Sequence, residues 1–246
     1  MKVTFLGTGS ALPTGERYQS SLLVSEDDRH LLLDCGSGAL QRLAAADVGY
    51  GGVSAVLLSH LHLDHVSDLL PLLVARWIDD EPMPEVVGPE GTAAMVDGFF
   101  DAHGYLDGRF DVPVREIAEE SFEVAGFEVA SRRTEHSIEC LAYRFDDRFT
   151  FGADSEAVPR VARFADGSAV LVHECSFPDD VEVEGHTTPS ALGELLSDLE
   201  IEVGRVYLTH LFPHTEGRED ELLDSISTYY DGEVRVASDG LSVEIG

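Results

Sequence analysis

Between positions 60 and 65 the chain carries three imidazoles and one carboxylate, in the order His60-Leu61-His62-Leu63-Asp64-His65. Imidazole and carboxylate are the ligand set of zinc, with manganese, iron and nickel as competitors. The apolar run Val56-Leu57-Leu58 leads into this cluster and reads as a buried strand that stops at Ser59. Alternate side chains of an extended segment share a face, so His60 and His62 can reach one cation together. Where the chain turns into a following helix, Asp64 and His65 can swing toward a second cation beside the first. Leu61 and Leu63 interleave with the polar residues, which argues against a merely solvated, histidine-rich loop.

Residues of the same type recur at later strand ends. His136 follows a strand over 127–133, Asp154 follows Arg148-Phe149-Thr150-Phe151, and His210 ends Arg205-Val206-Tyr207-Leu208-Thr209. Any one of these alone is more often a hydrogen-bonded surface or core group. Seven candidates leaving the ends of apolar strands fit the loops where binding and catalytic groups gather on a rigid scaffold. Asp34 ends a strand over His30 to Asp34; there a carboxylate either holds a ligand histidine by its second nitrogen or caps the helix near 39–46. His173-Glu174-Cys175-Ser176-Phe177 terminates the strand Ala169 to Val172, and Gly185-His186-Thr187-Thr188-Pro189 opens a helix over 189–199. A histidine at the mouth of a helix beside a strand-end carboxylate could form an oriented proton donor, which makes Glu174 and His186 candidates; otherwise His186 merely assists the cap. His173 alternates away from Glu174 and is left out of the site. His30, His103 and His214 are expected to face solvent.

The elements that must position these groups alternate between strands and helices. A strand over 2–6 leads to Gly7-Thr8-Gly9-Ser10, where two glycines let the backbone turn tightly and approach a neighbour closely. No Gly-Lys-Ser/Thr follows, so a nucleotide-phosphate cradle is not indicated. Strands over 20–24 and 30–34 flank the turn 26–29. A helix over 66–78 turns Leu69, Leu70, Leu72, Leu73 and Trp77 to the core, with Pro71 in its first turn or so. A short strand at Val86-Val87, a helix over 91–102, and strands over 110–117, 121–125 and 126–132 follow. This alternation indicates one layered α/β domain over 1–246 with its sheets covered.

The charge balance is unusual, with 16 basic against 47 acidic residues, a net charge of −31, and Lys2 the only lysine. Such a surface repels itself at low salt, and at about 1 M salt the Debye length of roughly 3 Å removes most of that repulsion. The balance points to a halophilic protein of a high-salt cytoplasm. It also argues against a nucleic-acid footprint, apart from a local patch around Arg132 and Arg133. No apolar run approaches the roughly 20 residues of a membrane span. The start goes straight into a strand without a signal-peptide layout. Cys35, Cys140 and Cys175 have no metal-type spacing and read as small buried hydrophobes of a reducing compartment.

The chain resembles the metallo-β-lactamase superfamily, and within it the ribonuclease Z-like branch. The likeness runs from Phe5-Leu6-Gly7-Thr8-Gly9-Ser10-Ala11-Leu12-Pro13-Thr14 through Leu33-Asp34-Cys35-Gly36, the block from His60 to His65, His136, Gly152-Ala153-Asp154-Ser155, the stretches at 173–177 and 185–188, and Leu208-Thr209-His210. The resemblance implies a four-layer αββα sandwich with a dinuclear centre, usually zinc with manganese or nickel as alternatives. By position, His60, His62 and His136 would bind one metal and Asp64, His65 and His210 the other, with Asp154 bridging. Asp64 would also orient the attacking hydroxide, and His186, paired with Glu174, would protonate the leaving oxygen. The chain departs from true ribonuclease Z in two places. Only 18 positions separate His136 from Asp154, too few for the tRNA-gripping arm, and the basic and aromatic residues that usually follow the last histidine are replaced by Leu211-Phe212-Pro213-His214. The resemblance therefore implies a metal-dependent phosphodiesterase acting on a small, possibly cyclic, phosphodiester or on single-stranded nucleic acid. A thioester or lactone hydrolase and a tRNA 3′-processing endonuclease are the alternatives. Related proteins are often homodimers, for which the helices over 66–78 and 91–103 are candidate surfaces.

Overall fold

A computed structural model of the protein describes residues 1–181 and 183–246. Among these, one sheet runs in the order β14 (Ser242–Glu244), β1 (Lys2–Gly7), β2 (Ser21–Glu26), β3 (Arg29–Leu33), β4 (Ala55–Leu57), β5 (Glu85–Gly88), β6 (Val114–Glu116). The other runs β13 (Val234–Val236), β12 (Arg205–Thr209), β11 (Val170–Glu174), β10 (Phe149–Phe151), β9 (Leu141–Phe145), β8 (Phe127–Arg133), β7 (Ser121–Val124). The central strands are apolar on both faces, as a sheet covered on both sides requires. Leu31, Leu33 and Leu57 join Phe5, Tyr143, Phe149 and Tyr207 in the core between the sheets. Leu32 and Val56 face outward against Leu43, Leu72, Leu73 and Val96 of α1 (Ala39–Ala45), α3 (Leu69–Ile78) and α4 (Thr92–Ala102). On the second sheet Leu171, Val206 and Leu208 meet Ala162, Leu192, Leu196, Leu222 and Ile226 of α5 (Pro159–Ala165), α6 (Pro189–Asp198) and α7 (Glu219–Ser227). The result is the expected αββα sandwich.

Strand direction sets where the site lies. Strands β3 to β6 are mutually parallel, as are β10 to β13. β8 pairs antiparallel with β9, and β9 with β10, so β8 and β10 also run the same way. The C-terminal ends of β3, β4, β8, β10, β11 and β12 therefore open onto one edge of the sandwich, the usual place for ligands in α/β sheets.

Several local expectations are corrected. The helix expected over 66–78 is two: α2 (Leu63–Val66) ends before Asp68, and α3 starts at Leu69. The break arises because Asp68 N donates to Cys35 O at 2.9 Å while its carboxylate accepts from Gly38 N and Leu40 N at 2.9 and 3.0 Å, capping α1. Residues 110–113 are not strand; Phe110 packs on Trp77 and Phe100, which draws the chain across the helical layer before β6 begins. β11 continues through His173 and Glu174 because its pairing with β12 persists to Glu174. His30 is half-buried beside Ser25, 3.0 Å away, whereas His103 and His214 are exposed. Cys35, Cys140 and Cys175 are free and buried, one in each apolar cluster. Helices α5 and α7 and strands β13 and β14 have no counterpart in the sequence reading.

Candidate metal centre

Asp154 leaves the end of β10 and points its Oδ2 into a ring of imidazole nitrogens. His210 Nε2 lies 3.2 Å from it, His65 Nε2 3.5 Å, His60 Nε2 3.8 Å and His136 Nε2 3.9 Å. On one side His62 Nδ1 sits 3.0 Å from His60 Nε2 and 3.1 Å from His136 Nε2. On the other, Asp64 Oδ2 is 3.1 Å from His210 Nε2 and 3.7 Å from His65 Nε2. Ligand atoms of His60, His62 and His136 lie within 4.8 Å of one another, as do those of Asp64, His65 and His210. The structure brings together all seven residues singled out by spacing, and one oxygen of Asp154 is common to both groups.

Burial by itself would raise the Asp154 carboxyl, but His210, His65 and His60 outweigh it and hold the carboxyl well below its ordinary range. Asp64 is lowered against its burial by the neighbouring His210 and His65. Burial opposes protonation of His65, yet Asp154 and Asp34 raise it well above an ordinary histidine. His60 is held well below by burial and by the neighbouring His65, and His62 is lowered by burial and His136. His65 Nε2 is fully buried without a hydrogen-bond partner among the described residues. An orphaned imidazole nitrogen aimed at a buried carboxylate, among ring nitrogens that converge without enough protons to satisfy them, fits divalent cations with nitrogen and oxygen ligands.

The backbone around the site is itself unusual. Asp34, Ala153 and His210 adopt φ of 57°, 53° and 56°, a region non-glycine residues rarely visit and one that collects at functional sites. Asp34 accepts from Ser59 N at 2.7 Å, from Ser59 Oγ at 2.8 Å and from His65 Nδ1 at 2.7 Å. Of its two expected roles it takes the orienting one, since Asp68 occupies the cap of α1. Behind it, Gly36 is pressed so close to α2 that a Cβ would lie 2.1 Å from Asp64 O. His136 Nδ1 donates to Gly185 O at 3.0 Å, which leaves Nε2 turned inward. Leu61 packs on the helical layer, but Leu63 is 78% exposed because it opens α2 on the outer side of the turn.

Glu174 and His186 also meet. His186 Nδ1 donates to Glu174 Oε2 at 3.1 Å and does not cap α6, whose N-terminal residue Thr188 makes no side-chain capping bond. Glu174 is fully buried and further accepts from Ser155 N, Thr187 N and the Ser176 hydroxyl. Burial would lower His186, but the hydrogen bond and charge of Glu174 raise it. His173 stays outside the cluster, its Nδ1 donating to Glu174 O at 2.8 Å. A cavity of about 460 Å³ opens over the centre, lined by Gln19, Leu63, Asp64, Asp154, His186 and Phe212 among others. Gln19, Phe212, Ser59 and Ser176 were missed in the sequence. The two serines carry the better signal, since each lies within two residues of a site residue at a strand end.

The family model described as Anti-Pycsar protein Apyc1 matches residues 1–223. Ribonuclease Z of Mycobacterium marinum is 30% identical over an alignment covering 100% of this chain and 99% of that protein. Among solved structures, the metallo-beta-lactamase fold protein YhfI from Bacillus subtilis superposes with a TM-score of 0.82 at 27% identity, covering 99% of each chain. Human tRNase Z, short form, shares the fold with a TM-score of 0.79 at 22% identity, covering 100% of both.

Proposed function

The chain belongs to the ribonuclease Z-like branch of the metallo-β-lactamase superfamily and to the Anti-Pycsar protein Apyc1 family, and from that premise we propose that this metal-dependent hydrolase is a phosphodiesterase acting on a small or cyclic phosphodiester. The whole chain acts as one domain in this reading. His60, His62 and His136 would hold one divalent cation and Asp64, His65 and His210 the other, with Asp154 shared; the nitrogen-rich set favours zinc and admits manganese. When bound, such a pair supplies Lewis acidity and water that ionises near neutral pH. Asp64 also lines the cavity over the centre and would orient the attacking water.

The observation that carries the phosphodiester reading is the Glu174–His186 pair beside Asp154 and His210. With Nδ1 tied to Glu174, His186 presents Nε2 to the cavity it lines and holds a proton above the ordinary histidine range. An alkoxide leaving group benefits from that proton, and general acids of this kind contribute about 10²–10⁴-fold. A thioester, whose leaving group is a thiolate, has much less use for it.

The test is a panel in molar salt: bis(p-nitrophenyl) phosphate, cyclic nucleotides, thioesters, lactones and precursor tRNA. We expect turnover of the phosphodiesters, loss of it in Asp64→Ala, and at least about a 10²-fold drop in kcat on cyclic nucleotides in His186→Ala. Activity confined to thioesters and lactones would overturn the choice of substrate class. A second reading, tRNA 3′-end processing, is favoured by the full-length likeness to a ribonuclease Z. The 136–154 interval, taken up by β9, β10 and their turns, weighs against it. Cleavage of precursor tRNA in the same panel would establish it.

A further inference from the structure

Two buried serines stand in the same relation to the two halves of the centre. In the first sheet the Ser59 hydroxyl lies 2.8 Å from Asp34 Oδ2 and 3.0 Å from His60 Nδ1. A hydroxyl has one proton and a carboxylate can only accept, so the proton goes to Asp34 and His60 donates from Nδ1 to the serine oxygen. In the second sheet the Ser176 hydroxyl reaches Glu174 Oε2, His210 O at 3.1 Å and His210 Nδ1 at 2.9 Å; both oxygens can only accept, so His210 donates from Nδ1 to the serine oxygen. Each carboxylate also holds a second imidazole directly: Asp34 takes His65 at 2.7 Å and Glu174 takes His186 at 3.1 Å. Both serines are fully buried, so bulk water does not compete for either hydroxyl.

The consequence falls on the opposite nitrogen of each ring. A neutral imidazole that carries its proton on Nδ1 turns a lone pair out at Nε2. His60 Nε2 and His210 Nε2 are the atoms that face Asp154, at 3.8 and 3.2 Å. We infer that Ser59 and Ser176 are positioning residues, each relaying a buried carboxylate to one imidazole of a different cation site and locking its metal-accepting tautomer. The inference rests on the dinuclear reading for its metal consequence, while the tautomers themselves are a property of the chain. Ser59 and Ser176 divide the labour: each supports one site, and neither serves both.

Zinc titration of the full-length chain by calorimetry, with long-range proton–nitrogen NMR of its histidines after chelation, tests this. In Ser59→Ala one of two zinc ions should bind about 10–100-fold more weakly, and in Ser176→Ala the other, so each variant retains one tight zinc and the double variant none. Ser59→Thr and Ser176→Thr, which keep the hydroxyl, should restore wild-type binding. In the chelated wild type, His60 and His210 should each show the Nδ1–H tautomer; each alanine variant should lose it at its own histidine only. Equal weakening of both zinc ions by either alanine variant, or alanine variants that bind both as tightly as wild type, would overturn the division of labour. An Nε2–H tautomer at His60 or His210 in the chelated wild type would overturn the relay, even if the variants do not fold. A wild type that binds no zinc but shows both Nδ1–H tautomers would sink the dinuclear reading and leave the relays standing.

Discussion

Single residues here are defined by what the neighbouring carboxylate or imidazole makes of them. His65 and His186 are raised above an ordinary histidine, so their contribution to stability is complete below about pH 6.5 and is lost as pH rises through their folded values. His60 and His62 are lowered, so stability is lost as pH falls below about 6.5, where the unfolded chain takes up protons that the folded one refuses. Together these signs predict that the urea midpoint of the chelated protein peaks near about pH 6.5. A midpoint that climbs steadily from pH 5 to 9 would contradict the assignment. Asp34 offers a cleaner residue-level test, because asparagine tolerates its left-handed backbone while removing the charge. Asp34→Asn should keep the fold and weaken zinc binding by about 10–100-fold, as read by competition with a chromophoric chelator.

At the scale of elements, the centre depends on a helix of four residues. α2 carries Asp64 and His65, and it is pinned by Cys35 N donating to His65 O at 2.7 Å and by the contact of Gly36 with Asp64 O. Gly36→Ala drives a methyl into that carbonyl, and overpacking of this kind costs about 1–3 kcal/mol. We expect a fall of several degrees in the thermal midpoint together with weaker zinc binding. Leu63→Ser, on the exposed side of the same helix, should change stability by no more than about 0.5 kcal/mol. Differential scanning calorimetry of the two variants separates the cases.

The whole molecule carries a net charge of −31 on 246 residues, and its arginines are largely engaged in surface ion pairs such as Arg218 with Asp180 and Glu221. Self-repulsion of that size is relieved by salt. The thermal midpoint should therefore rise between 0.1 and 2 M potassium chloride, and a midpoint that stays flat or falls would reject the high-salt reading. No helix of the described residues is long and apolar enough to cross a membrane.

The sequence by itself determined the layered α/β class, because two-sided apolar strands can be read from Leu31-Leu32-Leu33 or Val170-Leu171-Val172 alone. It also singled out the seven side chains that the fold gathers at one sheet edge, since imidazoles and carboxylates at the ends of apolar runs are locally visible. It did not locate the break between α2 and α3, which depends on Asp68 reaching back to α1. It misjudged Leu63, whose exposure is set by the face of a single turn. Only the tertiary structure decided that Asp34 orients His65, that His186 leaves the cap for Glu174, and that Ser59 and Ser176 lie between carboxylate and imidazole. Those choices turn on hydrogen-bond distances between segments up to 34 positions apart, and a chain's local pattern carries no information about which of several acceptors a donor will meet.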